Sequence, residues 1–312
     1  MSTTRFAAVV TAAAVALALT VAAKTAAETP AGAAQVRTLS SGGIARTYRV
    51  FRPRSAGAHP ALVMMLHGGF GTGQAAENAD GWDALAAREG FAVVYPDGLG
   101  HAWNAGTCCG LPHARNVDDV AFLTAVVRDA EARDGVDPQR VYVTGLSNGA
   151  IMAYRMACEA PIPIAAIGPV AGSLLVPCTA PRGPVSVIAV HGTADQNVPI
   201  NGGYGTKGVT HTDHLSVAAS LARWKAVDRC ADPVVTERGT VHVEDAQCAG
   251  GTEIELIAVN GAGHQWPGSK PPPAWTARML DLDPPSTALD ATAALWEFFS
   301  RHPGPTDPVI RP

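Results

Sequence analysis

Short runs of almost wholly apolar residues, separated by stretches of helical periodicity, constrain this 312-residue chain more than any other feature. The runs are "ALVMMLHGG", "FAVVYPDG", "RVYVTGL", "IAAIGPVAG", "VSVIAVHG" and "TEIELIAVNG". They do not alternate apolar with polar, so each predicts a strand covered on both faces, the situation of a parallel sheet. Helical spacing marks "NADGWDALAAREGF", "VDDVAFLTAVVRDAEARDGVD", "NGAIMAYRMACEA", "HLSVAASLARWKAVDR" and "STALDATAALWEFFSRH", with Asp118 or Asp119 as a cap and Gly90 and Gly135 as stops. The order strand, helix, strand predicts an α/β protein, a mostly parallel sheet with helices on both faces. "TYRVFRP" alternates and reads as a further strand. No repeat or composition break interrupts residues 35 to 302, and 47% apolar content is ample for one core, so residues 36–302 are expected to form a single domain.

The two ends differ from this body. Arg5 precedes an apolar, alanine-dominated run from Phe6 to Ala23, followed by small residues at Ala23 and Ala27. That order predicts a signal peptide over residues 1–27, cleaved near 23–27, and hence a secreted, extracellular protein with no stable membrane anchor. The proline-rich residues 303–312 are expected to form a flexible tail. A net charge of −4 with no basic run excludes an electrostatic footprint for nucleic acid.

Export would carry six cysteines into an oxidising compartment, where an even count suggests disulfides. No paired C-x-x-C knuckle is present, so a structural zinc site is not expected. Cys230 and Cys248 are expected to bond, being close in sequence across a polar, strand-poor stretch. Cys108, Cys109, Cys158 and Cys178 stay unassigned. A bond between adjacent Cys108 and Cys109 would close a strained small ring, which favours partners for them at Cys158 and Cys178.

The candidate chemistry starts at "GLSNG", which places Ser147 directly between the strand "RVYVT" and a helix. This is the strand, sharp turn and helix of a nucleophile elbow. A serine hydroxyl is a weak nucleophile, so it requires a histidine base and a carboxylate that fixes the imidazole tautomer. Asp195 in "HGTADQNVP" and His264 in "NGAGHQWPG" each follow an apolar strand, which delivers both to the same sheet edge as Ser147. His191, at a strand end, is expected to play a structural role; His211 and His214 read as a solvated loop, and Asp97 as a turn residue. The oxyanion of a tetrahedral intermediate needs donors, expected at the N–H of Asn148 and of Gly69 in "LHGGFGTG", with Phe70 as the alternative and His67 bracing the loop.

Taken in order, "LHGGFGTG", "WNAGTCCG", "VDDVAFL", "DPQRVYVTGLSNGAIMAYRMACE", "VSVIAVHGTADQNVPING", "GAGHQWPG" and "ALDATAALWEFFSRH" resemble the secreted esterases of the polyhydroxybutyrate depolymerase and feruloyl esterase group. The resemblance spans about residues 36 to 302. It implies an α/β-hydrolase fold, no metal or cofactor, and hydrolysis of carboxylic esters through an acyl-enzyme on Ser147, with Asp195 and His264 completing the triad. Trp103, Trp266 and Phe70 are the substrate-binding side chains it suggests, and the implied partner is an ester substrate, a polyester oligomer or a hydroxycinnamoyl ester. No linker and polymer-binding module follows the last helix, which weighs against erosion of insoluble polyester, and no carbohydrate-binding module argues for work on plant cell walls. The alternatives are an acyltransferase of the mycolyltransferase type and a non-catalytic binding protein on a hydrolase fold.

Overall fold

A computed structural model describes residues 34–178 and 183–304 of the chain. The expected signal peptide over 1–27 and most of the expected tail lie outside the described residues. In chain order the first half comprises β1 (Gln35–Ser41), β2 (Ile44–Phe51), β3 (Leu62–Leu66), α1 (Gly73–Ala79), α2 (Trp82–Glu89), β4 (Ala92–Pro96), α3 (Gly110–Ala114), α4 (Asp119–Asp134), β5 (Val141–Leu146) and α5 (Asn148–Glu159). The second half comprises β6 (Ala166–Val170), β7 (Ser186–Gly192), β8 (Gly203–Tyr204), β9 (Asp213–His214), α6 (Val217–Asp228), β10 (Val234–Arg238), β11 (Val241–Gln247), β12 (Glu253–Val259), α7 (Ala274–Met279) and α8 (Ala291–Arg301).

Ten strands form one sheet in the order β1-β2-β4-β3-β5-β6-β7-β12-β11-β10. The run from β4 to β12 is parallel, whereas β1 and β2 at one edge and β11 and β10 at the other pair antiparallel. The apolar runs supply this parallel centre because both of their faces are buried. On one face Met64, Val143 and Val187 pack under Phe122 of α4, Met152 of α5 and Leu221 of α6. On the other, Met65, Tyr142 and Val190 pack under Trp82 of α2 and Phe299 of α8. Successive residues of one strand thus enter opposite cores.

Three sequence expectations change. The expected helix around "NADGWDALAAREGF" is two helices, α1 and α2, separated at Gly81, whose φ of 78° breaks the helical path. The expected strand-poor stretch between Cys230 and Cys248 is the hairpin of β10 and β11. It is polar because it forms the sheet's outer edge, with every residue of β10 exposed, so it lacks the apolar signature of the central strands. The cysteines also pair differently: Cys158 bonds Cys178, their Cα atoms 5.3 Å apart, while Cys108 pairs with Cys109. Since the chain brings Cys158 at the end of α5 against Cys178, the adjacent pair has only itself. Cys230 pairs with Cys248 as expected, tying the end of α6 to the end of β11.

Asp118 is the cap of α4, its carboxylate accepting from the N–H of Ala121, and Gly135 ends that helix in the left-handed region. Asp119 is instead fully buried, bonded to Arg46 and to the N–H of Asn104. Among the described residues no helix is long and apolar enough to cross a membrane.

Candidate active site

Strand β5 ends at the elbow. Ser147 sits at φ 55°, ψ −119°, a strained backbone for a residue with a Cβ, and its N–H is held by Val170 O at 2.9 Å. The two flanking glycines follow from crowding. A Cβ on Gly149 would lie 2.2 Å from Leu66 O, and one on Gly145 would lie 2.6 Å from the same oxygen. Only glycine lets the start of α5 press against the end of β3 this closely. The first N–H groups of a helix have no partner within it, and the helix N-terminus favours negative charge at the elbow.

The loops after β7 and β12 bring Asp195 and His264 to this elbow. They are stitched together, Ala194 donating its N–H to Ala262 O at 2.9 Å. His264 Nε2 lies 2.8 Å from Ser147 Oγ, and its Nδ1 lies 2.7 Å from Asp195 Oδ2. Nδ1 faces an acceptor-only carboxylate, so it carries the proton and Nε2 offers its lone pair to the serine hydroxyl. The remaining carboxylate oxygen, Asp195 Oδ1, accepts from the N–H groups of Asn197 at 2.8 Å and Val198 at 2.9 Å. Burial pushes the Asp195 pKa up, but hydrogen bonds with His191 and His264 overcome it and hold the carboxyl well below the usual range.

The other candidate histidines separate. His191 is buried with Nε2 2.8 Å from Val198 O and 3.4 Å from Asp195 Oδ2, so it braces the acid loop. His211 is exposed, but His214 is buried, its Nδ1 3.0 Å from Ser173 Oγ, which corrects the reading of both as a solvated loop. The sequence masks this because Ser173 lies 41 residues away. Asp97, just after β4, ties its loop to the start of α1 and to β2 by accepting from Gly73 N–H and Thr47 Oγ1. Among the described residues no group of three or more His, Cys, Asp or Glu is gathered as for a metal ion.

On the oxyanion side, the N–H of Phe70 donates to His101 O at 2.8 Å and is therefore occupied. That of Gly69 donates to no described residue. A Cβ on neighbouring Gly68 would lie 3.5 Å from Ser147 Cβ, so this loop borders the nucleophile. His67 is buried and braces the loop: Nε2 accepts from Gly98 N–H at 2.9 Å, which leaves Nδ1–H to donate to Gly68 O at 2.7 Å. Burial lowers the His67 pKa, consistent with this neutral tautomer.

Of the three expected substrate-binding aromatics, only Phe70 is exposed, at 74%. Trp266 is buried, its ring edge-on to Trp82 and its indole N–H on Thr292 Oγ1 at 3.0 Å. Trp103 is buried as well, with its indole N–H on His67 O. Both tryptophans therefore support the site from beneath, without a face for substrate.

One residue near the base carries no sequence signal. Asp283 accepts the backbone N–H of His264 at 2.8 Å and sits so close to Gly263 that a Cβ there would meet its carboxylate. Lys207, on the segment that accepts from Asn197 Nδ2, lies 3.5 Å from Asp283 and 3.0 Å from Asp281. Replacing Asp283 with alanine frees the His264 backbone, and kcat is expected to fall about tenfold as the imidazole loses its aim. Asp283→Asn keeps an acceptor oxygen and should recover most of the rate. Steady-state assays of both variants on p-nitrophenyl acetate check this, and equal loss in the two would refute a positioning role.

The chain is similar to known esterases in sequence and in fold. Residues 47–200 match the family described as esterase PHB depolymerase. The putative esterase NocK of Nocardia uniformis subsp. tsuyamanensis is 32% identical over 251 residues, covering 72% of this chain and 72% of that protein. The chain belongs to the PHB depolymerase esterase family. It is an esterase of the PHB depolymerase and feruloyl esterase type. Feruloyl esterase B of Piromyces equi is 27% identical over 217 residues, 65% of this chain but 39% of that longer protein. Among solved structures, acetyl xylan esterase from Aspergillus awamori superposes with a TM-score of 0.57 at 16% identity, over 86% of this chain and 99% of the other. The family member described here thus has the α/β-hydrolase fold.

Proposed function

We propose that this chain is a secreted serine esterase that hydrolyses polyester oligomers or hydroxycinnamoyl esters through an acyl-enzyme on Ser147. The unbroken hydrogen-bond path from Ser147 Oγ through His264 to Asp195 carries the reading. His264 Nε2 takes the hydroxyl proton as Ser147 Oγ attacks the ester carbonyl. The N–H groups of Gly69 and Asn148 hold the oxyanion, and the imidazolium, stabilised by Asp195, then protonates the departing alcohol. Water repeats the sequence on the acyl-enzyme, releasing the acid and restoring the serine. The exposed ring of Phe70, next to Gly69, offers an apolar surface to the acyl or alcohol group. Export rests on the leader and agrees with six cysteines in three pairs.

A fluorophosphonate probe tests the nucleophile. Covalent labelling is expected on the Ser147 peptide, and folded protein that stays unlabelled would overturn the mechanism. Rates on a hydroxybutyrate oligomer, methyl ferulate and p-nitrophenyl acetate, measured side by side, assign the substrate; activity confined to the acetate would reject both natural classes.

The pH profile follows from the proton path. A protonated His264 has no lone pair for the serine proton, so kcat/KM should fall on acidification. A rate that stays unchanged on acidification of folded enzyme would contradict a histidine base.

A further inference from the structure

The two oxyanion donors stand on separate elements. Gly69 belongs to the loop after β3, and Asn148 opens α5 after β5. Packing at Gly149 limits how closely these elements approach, because Leu66 O and His67 O already fill the space where a side chain would be. The β3–β5 ladder ends at Leu66 and Gly145, so it ties the strand ends and not the segments beyond them that carry the two donors. Trp103, on a third loop after β4, bridges those segments.

Three hydrogen bonds from this single buried residue reach both sides. Its backbone N–H donates to Asn148 Oδ1 at 2.7 Å, and its carbonyl accepts from Asn148 Nδ2 at 3.1 Å. Its indole N–H donates to His67 O at 2.9 Å. That carbonyl belongs to the peptide immediately before Gly68, so holding it orients the chain that leads into the Gly69 N–H. The indole also packs on the His67 imidazole, with ring centroids 4.9 Å apart. The Trp103 loop is itself anchored: Asn104 N–H donates to Asp119 Oδ2 at 2.8 Å, and Asp119 Oδ1 pairs with Arg46 at 2.9 Å, both side chains buried.

We infer that Trp103 is a positioning residue that ties the two halves of the oxyanion hole together, its backbone gripping the Asn148 side and its indole N–H gripping the Gly69 side. The inference rests on the serine-esterase reading above. Oxyanion donors act through their preorganised distance to the developing charge, so a donor that drifts loses transition-state stabilisation while ground-state binding is little affected.

The test separates the indole N–H from the ring. Trp103→Phe retains an aromatic ring against His67 but removes the donor, and 3-benzothienylalanine at the same position preserves the bicyclic shape with sulfur in place of N–H. Hydrolysis of p-nitrophenyl acetate and inhibition by an aryl trifluoromethyl ketone, whose adduct with Ser147 bears the oxyanion, are measured for each. The expected result is a fall in kcat/KM of about 10- to 100-fold, a matching loss of trifluoromethyl ketone affinity, and KM within about twofold of the parent. Ketone affinity unchanged in a folded variant overturns the inference, whatever the rate does. Should Trp103→Phe fail to fold, the benzothienyl variant decides by the same criteria. Ser147→Ala run in parallel distinguishes the layers: if it still hydrolyses ester, the serine mechanism falls and the inference with it. If it is inactive while both Trp103 variants match the parent, the Trp103 inference alone falls.

Discussion

Ser147→Ala should lower hydrolysis of p-nitrophenyl acetate at least about 10⁴-fold while leaving the fold in place. The hydroxyl lies 2.8 Å from His264 Nε2, so its removal eliminates the proposed nucleophile and leaves the imidazole no serine proton to take. Alanine retains the Cβ that Ser147 already accommodates at φ 55°, so backbone strain is unchanged. His264 is 13% exposed and can take a water in place of the lost hydroxyl. Melting temperature and circular dichroism should therefore match the parent within the scatter of an ordinary surface substitution. Residual activity above one per cent of the parent, with contamination excluded by the loss of probe labelling, would place the nucleophile elsewhere.

Asp195→Asn should cost about as much for a different reason. Oδ1 of Asp195 accepts two backbone N–H groups, from Asn197 and Val198, and an asparagine must keep its carbonyl oxygen there. Its NH₂ group then faces His264 Nδ1. A donor at that position forces Nδ1 to accept, which moves the imidazole proton to Nε2, the atom that must receive the serine proton. The histidine is held in the wrong tautomer with the geometry otherwise intact, and kcat is expected to fall by roughly 10⁴-fold near neutral pH. Rate recovery at high pH, where hydroxide can take over the base's role, would separate this tautomer effect from simple unfolding. Asp195→Asn activity within tenfold of the parent at pH 7 would mean that the carboxylate does not set the tautomer.

Much of this arrangement is local and was legible. Gly145, Ser147 and Gly149 stand at alternate positions within five residues between an apolar run and a helical one, so strand, turn and helix could be read together. Asp195 and His264 could be assigned because each follows an apolar run, and parallel strands present their C-terminal ends on one edge. The sequence already favoured Gly69, with Phe70 as the alternative, and the structure adds that Phe70 N–H is taken by His101 O. Trp266 misled because it lies two residues after the base; its indole is claimed by Trp82 and by Thr292, 26 residues on. The edge hairpin of β10 and β11 escaped notice because strands exposed to water carry no apolar run to mark them.

By itself the amino-acid sequence determined the class of fold and pointed to Ser147, Asp195 and His264, in that order, as the proposed serine, acid and base, through periodicity, glycine placement and chain order. Tertiary structure alone decided which groups hold those residues in place. Asp283 reaches His264 across 19 residues, and Trp103 reaches His67 across 36 and Asn148 across 45. Such partners share no local pattern, because a hydrogen bond of about 3 Å is specified by where the packed sheet and helices bring two loops, not by the residues adjacent to either.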